Sequence, residues 1–229
     1  MAVAPKKVSE PCIYCGQDAA TRDHVPPKCL FPKPRTEMIT VPACLKCNKS
    51  YEKDDVLFAV AACSEAYNDH PQAARAWETS LRPLILNSPG FRTMLASSIL
   101  PGKVRTPGGL YLPDRRAMRF SKSRVNRVIE RIVRGLLWEH YKLTVDDKTE
   151  LEVYRNPPVD IEVAEIINSF TRLSWVGGDI FRYRHALAQD GQDTSIWAMQ
   201  FYMDSEYVVV VTGKSFKGTA QTEAKNVLS

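Results

Sequence analysis

Apolar and polar positions follow a helical period through the middle of the chain and alternate near its end. The clearest helix is predicted over "SKSRVNRVIERIVRGLLWEHY", residues 121–141, where apolar residues form one face and arginines the other. Alternation over 179–213 predicts three antiparallel strands, with turns at "DGQD" and "MDSE". Further helices are predicted over 48–68, 70–85, 88–100 and 160–170, and a hairpin with "PDRR" at its turn over 108–120. The helix over 70–85 is predicted to have Asn68 or Asp69 as its N-cap and Pro71 in its first turn. The predicted fold class is α+β.

The first part of the chain lacks such a pattern. Residues 11–58 are rich in Cys, Pro and Lys, which is typical of a small module that a metal holds together in place of an apolar core. We therefore predict two domains. A zinc-stapled module occupies 1–58, and a mixed helical and antiparallel-sheet domain with the basic helix 121–141 occupies 59–229.

Composition places the chain among ordinary globular proteins. It has 229 residues and no run of 18 apolar residues, so no membrane-spanning helix and no membrane partner are expected. The opening residues lack the apolar segment of a secretory signal, so we expect a cytoplasmic protein. Disulfides are disfavoured in the cytoplasm, and the six cysteines therefore need another explanation, of which metal binding is the first.

Four of the cysteines form two Cys-x-x-Cys pairs, which suit a structural, tetrahedral four-thiolate zinc site. The four predicted ligands are Cys12, Cys15, Cys44 and Cys47. Gly16 and Asn48 follow the two pairs, and both residue types tolerate the unusual backbone that such turns need. The pairs stand further apart than the usual 15 to 20 residues or so, so a segment is inserted between them. Cys29 and Cys63 are expected to be small core residues.

The inserted segment contains "TRDHVPPK", with Asp23 and His24 adjacent. Asp23 is a hard oxygen ligand suited to Mg²⁺ or Mn²⁺, His24 can take a proton from water near neutral pH, and Asn48 offers a neutral oxygen. A zinc site would bring Asn48 beside Asp23. Neighbours on a regular strand point to opposite faces, so a bend or a strand end is needed, and Pro26 and Pro27 would end the strand there. The alternative is that His24 is a spare zinc ligand or a surface residue.

The order CxxC, DH and CxxCN resembles the HNH nucleases, also called ββα-metal or His-Me finger nucleases, and among them the zinc-bearing endonuclease VII type. "TRDHVPPK" followed by "VPACxxCN" also looks like a group of bacterial proteins labelled only as HNH endonucleases. The resemblance covers about residues 12–58. It implies that Asp23 and Asn48 bind a catalytic divalent ion and that His24 is the general base.

The chain departs from the family pattern at two places. Many family members carry an Asn shortly before the second cysteine pair, where this chain has Ile39, Thr40 and Val41. Many also carry a His or Asn four residues after the position of Asn48, where this chain has Glu52. Glu52, or Asp55 one turn later on the same helix face, could complete the ion site directly or through water.

Positive charge is concentrated in one segment of the chain. Ten Lys and Arg residues lie between Lys103 and Arg134, against two acidic residues. Such an excess points to a polyanionic partner, here nucleic acid, and double-stranded DNA is the expected form. The predicted phosphate contacts are Arg124, Arg127, Arg131 and Arg134 on one helix face, with Lys28 as a further candidate. The alternative is a solvated helix face without a partner.

Together these features favour a metal-dependent HNH-type endonuclease that hydrolyses phosphodiester bonds. The alternative from another class is a non-catalytic, zinc-stapled module that binds nucleic acid or protein with the same surface. A role in phage defence or in mobile-element biology is suggested only by analogy with the family.

Overall fold

The structure, a computed structural model, describes residues 10–35, 37–100, 104–105, 111–112, 118–146, 149–157, 173–188, 193–213 and 217–218. Over these residues the chain combines helices with antiparallel sheets, which confirms the α+β class. The predicted helix over 160–170 lies outside the described residues, as do the predicted turn at "PDRR", apart from its flanks, and most of "DGQD". None of the helices described is both long and apolar enough to cross a membrane.

A two-stranded antiparallel hairpin forms the segment between the two cysteine pairs. Its strands are β1 (Thr21–Val25) and β2 (Ile39–Ala43), paired in regular register from one end to the other. Strand β1 ends where Pro26 follows, because proline has no N–H to continue the ladder. The predicted strand end at this position is therefore present.

Two helices follow the hairpin directly. Helix α1 (Leu45–Ser50) begins at the second cysteine pair, and α2 (Glu52–Ala66) begins after Tyr51. The sequence predicted a start at Asn48. The helix begins three residues earlier because the Cys44 sulfur accepts the Cys47 N–H and so acts as the N-cap.

The next helical stretch runs through three segments, which are α3 (Pro71–Ala76), a π-helical turn (Trp77–Leu81) and α4 (Arg82–Leu86). Pro71 stands in the first turn as predicted, where its missing N–H costs nothing. The residue before it, His70, occupies the cap position, so the predicted caps Asn68 and Asp69 are wrong. Helix α5 (Pro89–Ser98) agrees with the predicted third helix.

Short strands β3 (Val104–Arg105) and β4 (Tyr111–Leu112) pair with each other. The predicted hairpin paired 111–112 with residues after "PDRR". Among the described residues, 111–112 pair with 104–105, and Met118 forms an isolated bridge with Ile99. Helix α6 (Lys122–Tyr141) then matches the predicted basic helix, with Ser121 as its N-cap residue. Its apolar face is buried, and Gly135 of this face lies directly against Val25 of β1.

The largest sheet has five antiparallel strands. After β5 (Leu143–Thr144) come β6 (Glu150–Arg155), β7 (Ser174–Val176), β8 (Phe181–Leu187), β9 (Asp193–Phe201) and β10 (Ser205–Gly213). The strand order is β6-β10-β9-β8-β7, and a last short strand, β11 (Lys217–Gly218), pairs with β5. The three predicted strands are β8, β9 and β10. Their inward side chains alternate with outward ones, as the sequence pattern requires.

One continuous apolar core connects these elements. It contains Val25 and Leu30 from the inserted segment, Phe58 from α2, Leu136 from α6 and Phe201 from β9. The predicted domain boundary at residue 58 therefore falls inside α2, whose buried residues on both sides of that point join the same core. As a result the hairpin is held against α6 and the sheet.

Candidate metal centre and adjoining cleft

The two Cys-x-x-Cys pairs meet beside the hairpin. The four sulfur atoms all lie within 4.8 Å of one another, and Cys15 Sγ is 3.7 Å from Cys44 Sγ. A tetrahedral zinc ion with Zn–S bonds of about 2.3 Å needs sulfurs roughly 3.8 Å apart, so these four cysteines could hold a metal ion such as zinc. Elsewhere in the part of the chain that the structure describes, no three His, Cys, Asp or Glu residues come together in this way.

Each cysteine pair forms a tight turn in which a backbone N–H donates to an acceptor of the same turn. In the first, the Gly16 N–H donates to the Cys12 carbonyl at 2.8 Å, and Gly16 has a φ of +76°, which glycine adopts without strain. In the second, the Cys47 N–H donates to Cys44 Sγ at 3.3 Å. This hydrogen bond lowers the pKa of the Cys44 thiol to about 7, which favours the thiolate that binds metal.

Helix α1 starts from the second pair and returns Asn48 to strand β1. The Asn48 Nδ2 donates to Thr21 Oγ1 at 3.0 Å and to the Arg22 carbonyl at 3.3 Å. These two acceptors fix the amide, and its Oδ1 accepts no hydrogen bond from the described residues. The second cysteine pair thus places Asn48 beside the strand that carries Asp23 and His24.

A cleft of about 320 Å³ opens between β1 and the start of α1 and α2. It brings together residues that are far apart in the sequence. Among the residues that line it are Asp23, His24, Lys28, Asn48, Lys49, Glu52 and Asp55. The predicted base, the predicted ion ligands and both candidate third ligands therefore share one cavity.

Asp23 is buried in this cleft and is held by three contacts. Its Oδ2 accepts from the Tyr14 hydroxyl at 2.6 Å and lies 2.5 Å from Arg131 Nη2, while its Oδ1 accepts the His24 N–H at 2.9 Å. Arg131 Nη1 also donates to both carboxylate oxygens of Asp55, at 3.0 and 3.2 Å. One guanidinium therefore bridges two carboxylates that the sequence associated with a metal ion.

The predicted exposure of the arginine face of α6 is wrong at Arg131, whose side chain is only 5% exposed. Its guanidinium lies over the Tyr51 ring at 4.5 Å and the Tyr14 ring at 5.5 Å. This burial follows from the packing of α6 against the hairpin and the start of α2, where the acidic side chains lie.

The other three arginines of that face are partly exposed and are bonded within the chain. Arg124 and Arg127 both pair with the buried carboxylate of Asp54, at 2.5 and 3.1 Å. Arg134 donates to the Val145 carbonyl at 3.1 Å. Each of these three arginines therefore has a partner within the chain.

The strand remains regular through Asp23 and His24, so the expected bend is absent and the two side chains leave β1 on opposite sides, although both residues line the cleft. His24 is half-buried on the side near Lys28 and Arg35. Burial lowers its pKa, the positive charges of Lys28 and Arg35 add to this, and the Asp23 carboxylate opposes it. The imidazole is therefore neutral at neutral pH and able to accept a proton.

The Asp55 carboxyl group is perturbed in the opposite direction. Burial raises the pKa of Asp55 to about 7, with help from the carboxylates of Asp23 and Asp54 and against the effect of Arg131. A cation bound near Asp55 would favour its carboxylate form and lower this pKa. The protonation of Asp55 therefore depends on the positive charge in the cleft.

Three residues of this network were missed by sequence reasoning, namely Tyr14, Tyr51 and Arg131 in its bridging role. Tyr14 lies inside the first Cys-x-x-Cys pair, a position where residue type gives no signal. A signal existed for Arg131. Arg131 comes three residues after Val128 and four residues before Gly135, so it is their neighbour on the helix surface, and both of them face the core.

Comparison with known proteins adds no identification, because no family model, no curated protein and no solved structure matches this chain.

Proposed function

We propose that the protein is a metal-dependent endonuclease of the HNH type, which hydrolyses phosphodiester bonds of nucleic acid, with double-stranded DNA as the expected substrate. The observation that carries the proposal is the cleft in which His24, Asp23 and Asn48 come together next to four clustered cysteines. In this proposal the cysteines bind a structural zinc ion that takes no part in the chemistry.

The oxygen atoms that would hold a catalytic Mg²⁺ or Mn²⁺ are those of Asp23 and Asn48. Asp23 Oδ1 receives only a backbone N–H, and Asn48 Oδ1 receives no hydrogen bond from the described residues, so both retain lone pairs for a hard cation. Glu52 or Asp55 would complete the set, directly or through water. When bound, such an ion would stabilise the negative charge that develops on the phosphate and on the leaving oxygen.

His24 would act as the general base. Its depressed pKa keeps the ring neutral, so it can take a proton from the water that attacks phosphorus. The same two cations that lower this pKa, Lys28 and Arg35, would attract the phosphate to the place where the base acts.

Contacts to the phosphate backbone would come first from the lysines that line the cleft, Lys28 and Lys49. On α6, Arg124, Arg127 and Arg134 are further candidates, since each is at least partly exposed. Contacts of this kind position the substrate and carry no sequence information.

The test is a nicking assay on supercoiled plasmid with the zinc-loaded protein in Mg²⁺, in Mn²⁺ or in EDTA. His24→Ala should reduce the rate by about 10²- to 10⁴-fold, the usual contribution of a general base. Zinc content and DNA affinity should be nearly unchanged in this variant. His140→Ala is the matched control, because His140 lies at the end of α6 and does not line the cleft.

Retention of half or more of the rate in His24→Ala would show that His24 is not the base. A second candidate function, a non-catalytic zinc-stapled module that binds nucleic acid or protein, is favoured by one observation. Tyr14 and Arg131 both contact Asp23 Oδ2, so this oxygen already has partners within the chain. Tight DNA binding without nicking in either metal would support that function.

A further inference from the structure

Arg131 is unusual among the charged residues of this protein because it lies in the interior and faces the cleft acids. Its guanidinium touches both Asp23 and Asp55, at 2.5 and 3.0 Å. Asp23 comes from the hairpin and Asp55 from α2, so a single side chain of α6 joins the two walls of the cleft.

Fold stability alone is a poor explanation for this arrangement. The Arg131 Nε is buried and has no hydrogen-bond partner among the residues that the structure describes. Buried ion pairs contribute little net stability over well-packed apolar residues, and an unpaired buried N–H is a cost. A charged side chain that is retained at such a position, against two carboxylates of a cleft, points to a role in that cleft.

We propose that Arg131 is a built-in counter-ion of the cleft, which holds Asp23 and Asp55 and sets the affinity for a divalent cation by competing for the same carboxylates. The inference rests on the proposed function, since it concerns the ion ligands named there. The guanidinium adds one positive charge to the two carboxyl groups, so the site with Arg131 is one charge unit more positive than the site without it. A fixed positive charge beside the ligands therefore opposes the entry of a second cation.

The shape of arginine suits this role. Its planar fork presents two nitrogens, so it can reach both carboxylates at once, and its flat face packs on Tyr51 at 4.5 Å. Lysine would bring one nitrogen to one carboxylate. The Arg131 guanidinium should consequently be held rigidly. A divalent cation would have to share Asp23 with the guanidinium or displace the guanidinium from it.

The test measures Mn²⁺ binding to the full, zinc-loaded chain by titration calorimetry, together with the melting temperature at increasing Mn²⁺. Mn²⁺ prefers oxygen ligands and leaves the thiolate site to zinc. Arg131→Met should bind Mn²⁺ at least about tenfold more tightly than the unmodified chain, because the competing charge is gone. Without Mn²⁺, the melting temperature of Arg131→Met should be lower than that of the unmodified chain. Added Mn²⁺ should raise the melting temperature of the variant by more than that of the unmodified chain.

Arg155→Met is the matched control. Arg155 of β6 is likewise paired with a carboxylate, that of Glu65, and neither residue lines the cleft. Its Mn²⁺ affinity should stay within about twofold of the unmodified chain, since the charge it removes is paired elsewhere. If Arg131→Met also stays within that range, Arg131 is only a structural residue and the inference is overturned.

If Arg131→Met does not fold with or without Mn²⁺, then Arg131→Gln decides, because glutamine removes the charge and keeps a side chain that can donate a hydrogen bond. Tighter Mn²⁺ binding in that variant would support competition, and unchanged binding would exclude it. The result is independent of the nicking assay. A protein that never cuts DNA but binds Mn²⁺ more tightly without Arg131 would refute the nuclease and keep the counter-ion.

Discussion

Gly135 allows α6 to touch strand β1 directly, and replacing it should loosen that contact. A Cβ at position 135 would lie 2.5 Å from Val25 Cγ2 and 3.0 Å from Cγ1. Val25 is 1% exposed, and a valine side chain has little freedom at χ1, so its methyl groups cannot move aside. We therefore predict that Gly135→Ala destabilises the protein, although alanine is normally the better residue inside a helix.

The magnitude follows from two opposing contributions. Alanine stabilises a helix interior by about 1 kcal/mol relative to glycine. Overpacking a filled core costs about 1 to 3 kcal/mol, and two close methyl contacts place this case near the upper end. The free energy of unfolding should fall by roughly 1 to 2 kcal/mol. Urea unfolding of the zinc-loaded chain, followed by circular dichroism, measures this difference.

Two further variants make the measurement specific. Gly90→Ala in α5 is the control, because nothing lies within 4 Å of its added Cβ. It should be neutral or stabilising by up to about 1 kcal/mol. In the double variant Val25→Ala/Gly135→Ala the clash is removed, so the two changes should couple favourably by at least about 1 kcal/mol. Stabilisation by Gly135→Ala without such coupling would refute the reasoning.

Three other predictions concern the metal, the nucleic acid and pH. Purified protein should contain about one zinc per chain, and Cys47→Ser should lose it and unfold the hairpin; folded protein without zinc would contradict the four-thiolate site. Lys28→Ala and Lys49→Ala should each make the log–log salt dependence of DNA binding shallower by about 0.9, whereas an unchanged slope would place the phosphate contacts elsewhere. Burial and a neighbouring histidine lower the pKa of His185 to about 4, so the folded state binds fewer protons than the unfolded state below pH 6.5 or so. The contribution of His185 to the free energy of unfolding should therefore have its full value above that pH. It should decrease toward pH 4 by up to about 1.4 kcal/mol per pH unit, and His185→Phe should remove this pH dependence.

The features that the sequence predicted well are those that depend on local pattern. The cluster of four cysteines that could hold a metal ion follows from residue type and spacing, because two Cys-x-x-Cys pairs are typical of a metal site. The basic helix follows from its 3.6-residue period, which predicted 121–141 where the helix occupies Lys122–Tyr141. The approach of Asn48 to β1 was also predictable, because it stands directly after a cysteine whose position the cluster fixes.

The features that the sequence missed depend on which element faces which. A helical period shows that Arg131 lies near the edge of an apolar face, but it does not show that the acidic start of α2 packs there. Asp54 and Asp55 are about 70 residues away from their arginine partners in the chain. The same limitation explains the strand partner of β4, because pairing between two short strands is decided by tertiary contacts.

The hydrogen bond from the Tyr202 hydroxyl to the Leu30 carbonyl joins residues 172 positions apart. Its consequence concerns the order of events during synthesis. A ribosome adds about 5 to 20 residues per second, so the inserted segment waits roughly 10 to 35 seconds before the residue that covers it emerges. Arg131, too, leaves the ribosome long after Asp23. The residues that line the cleft end at Asp55, so both of its walls are made well before Tyr202 emerges, whereas the Leu30 carbonyl lacks this partner until then.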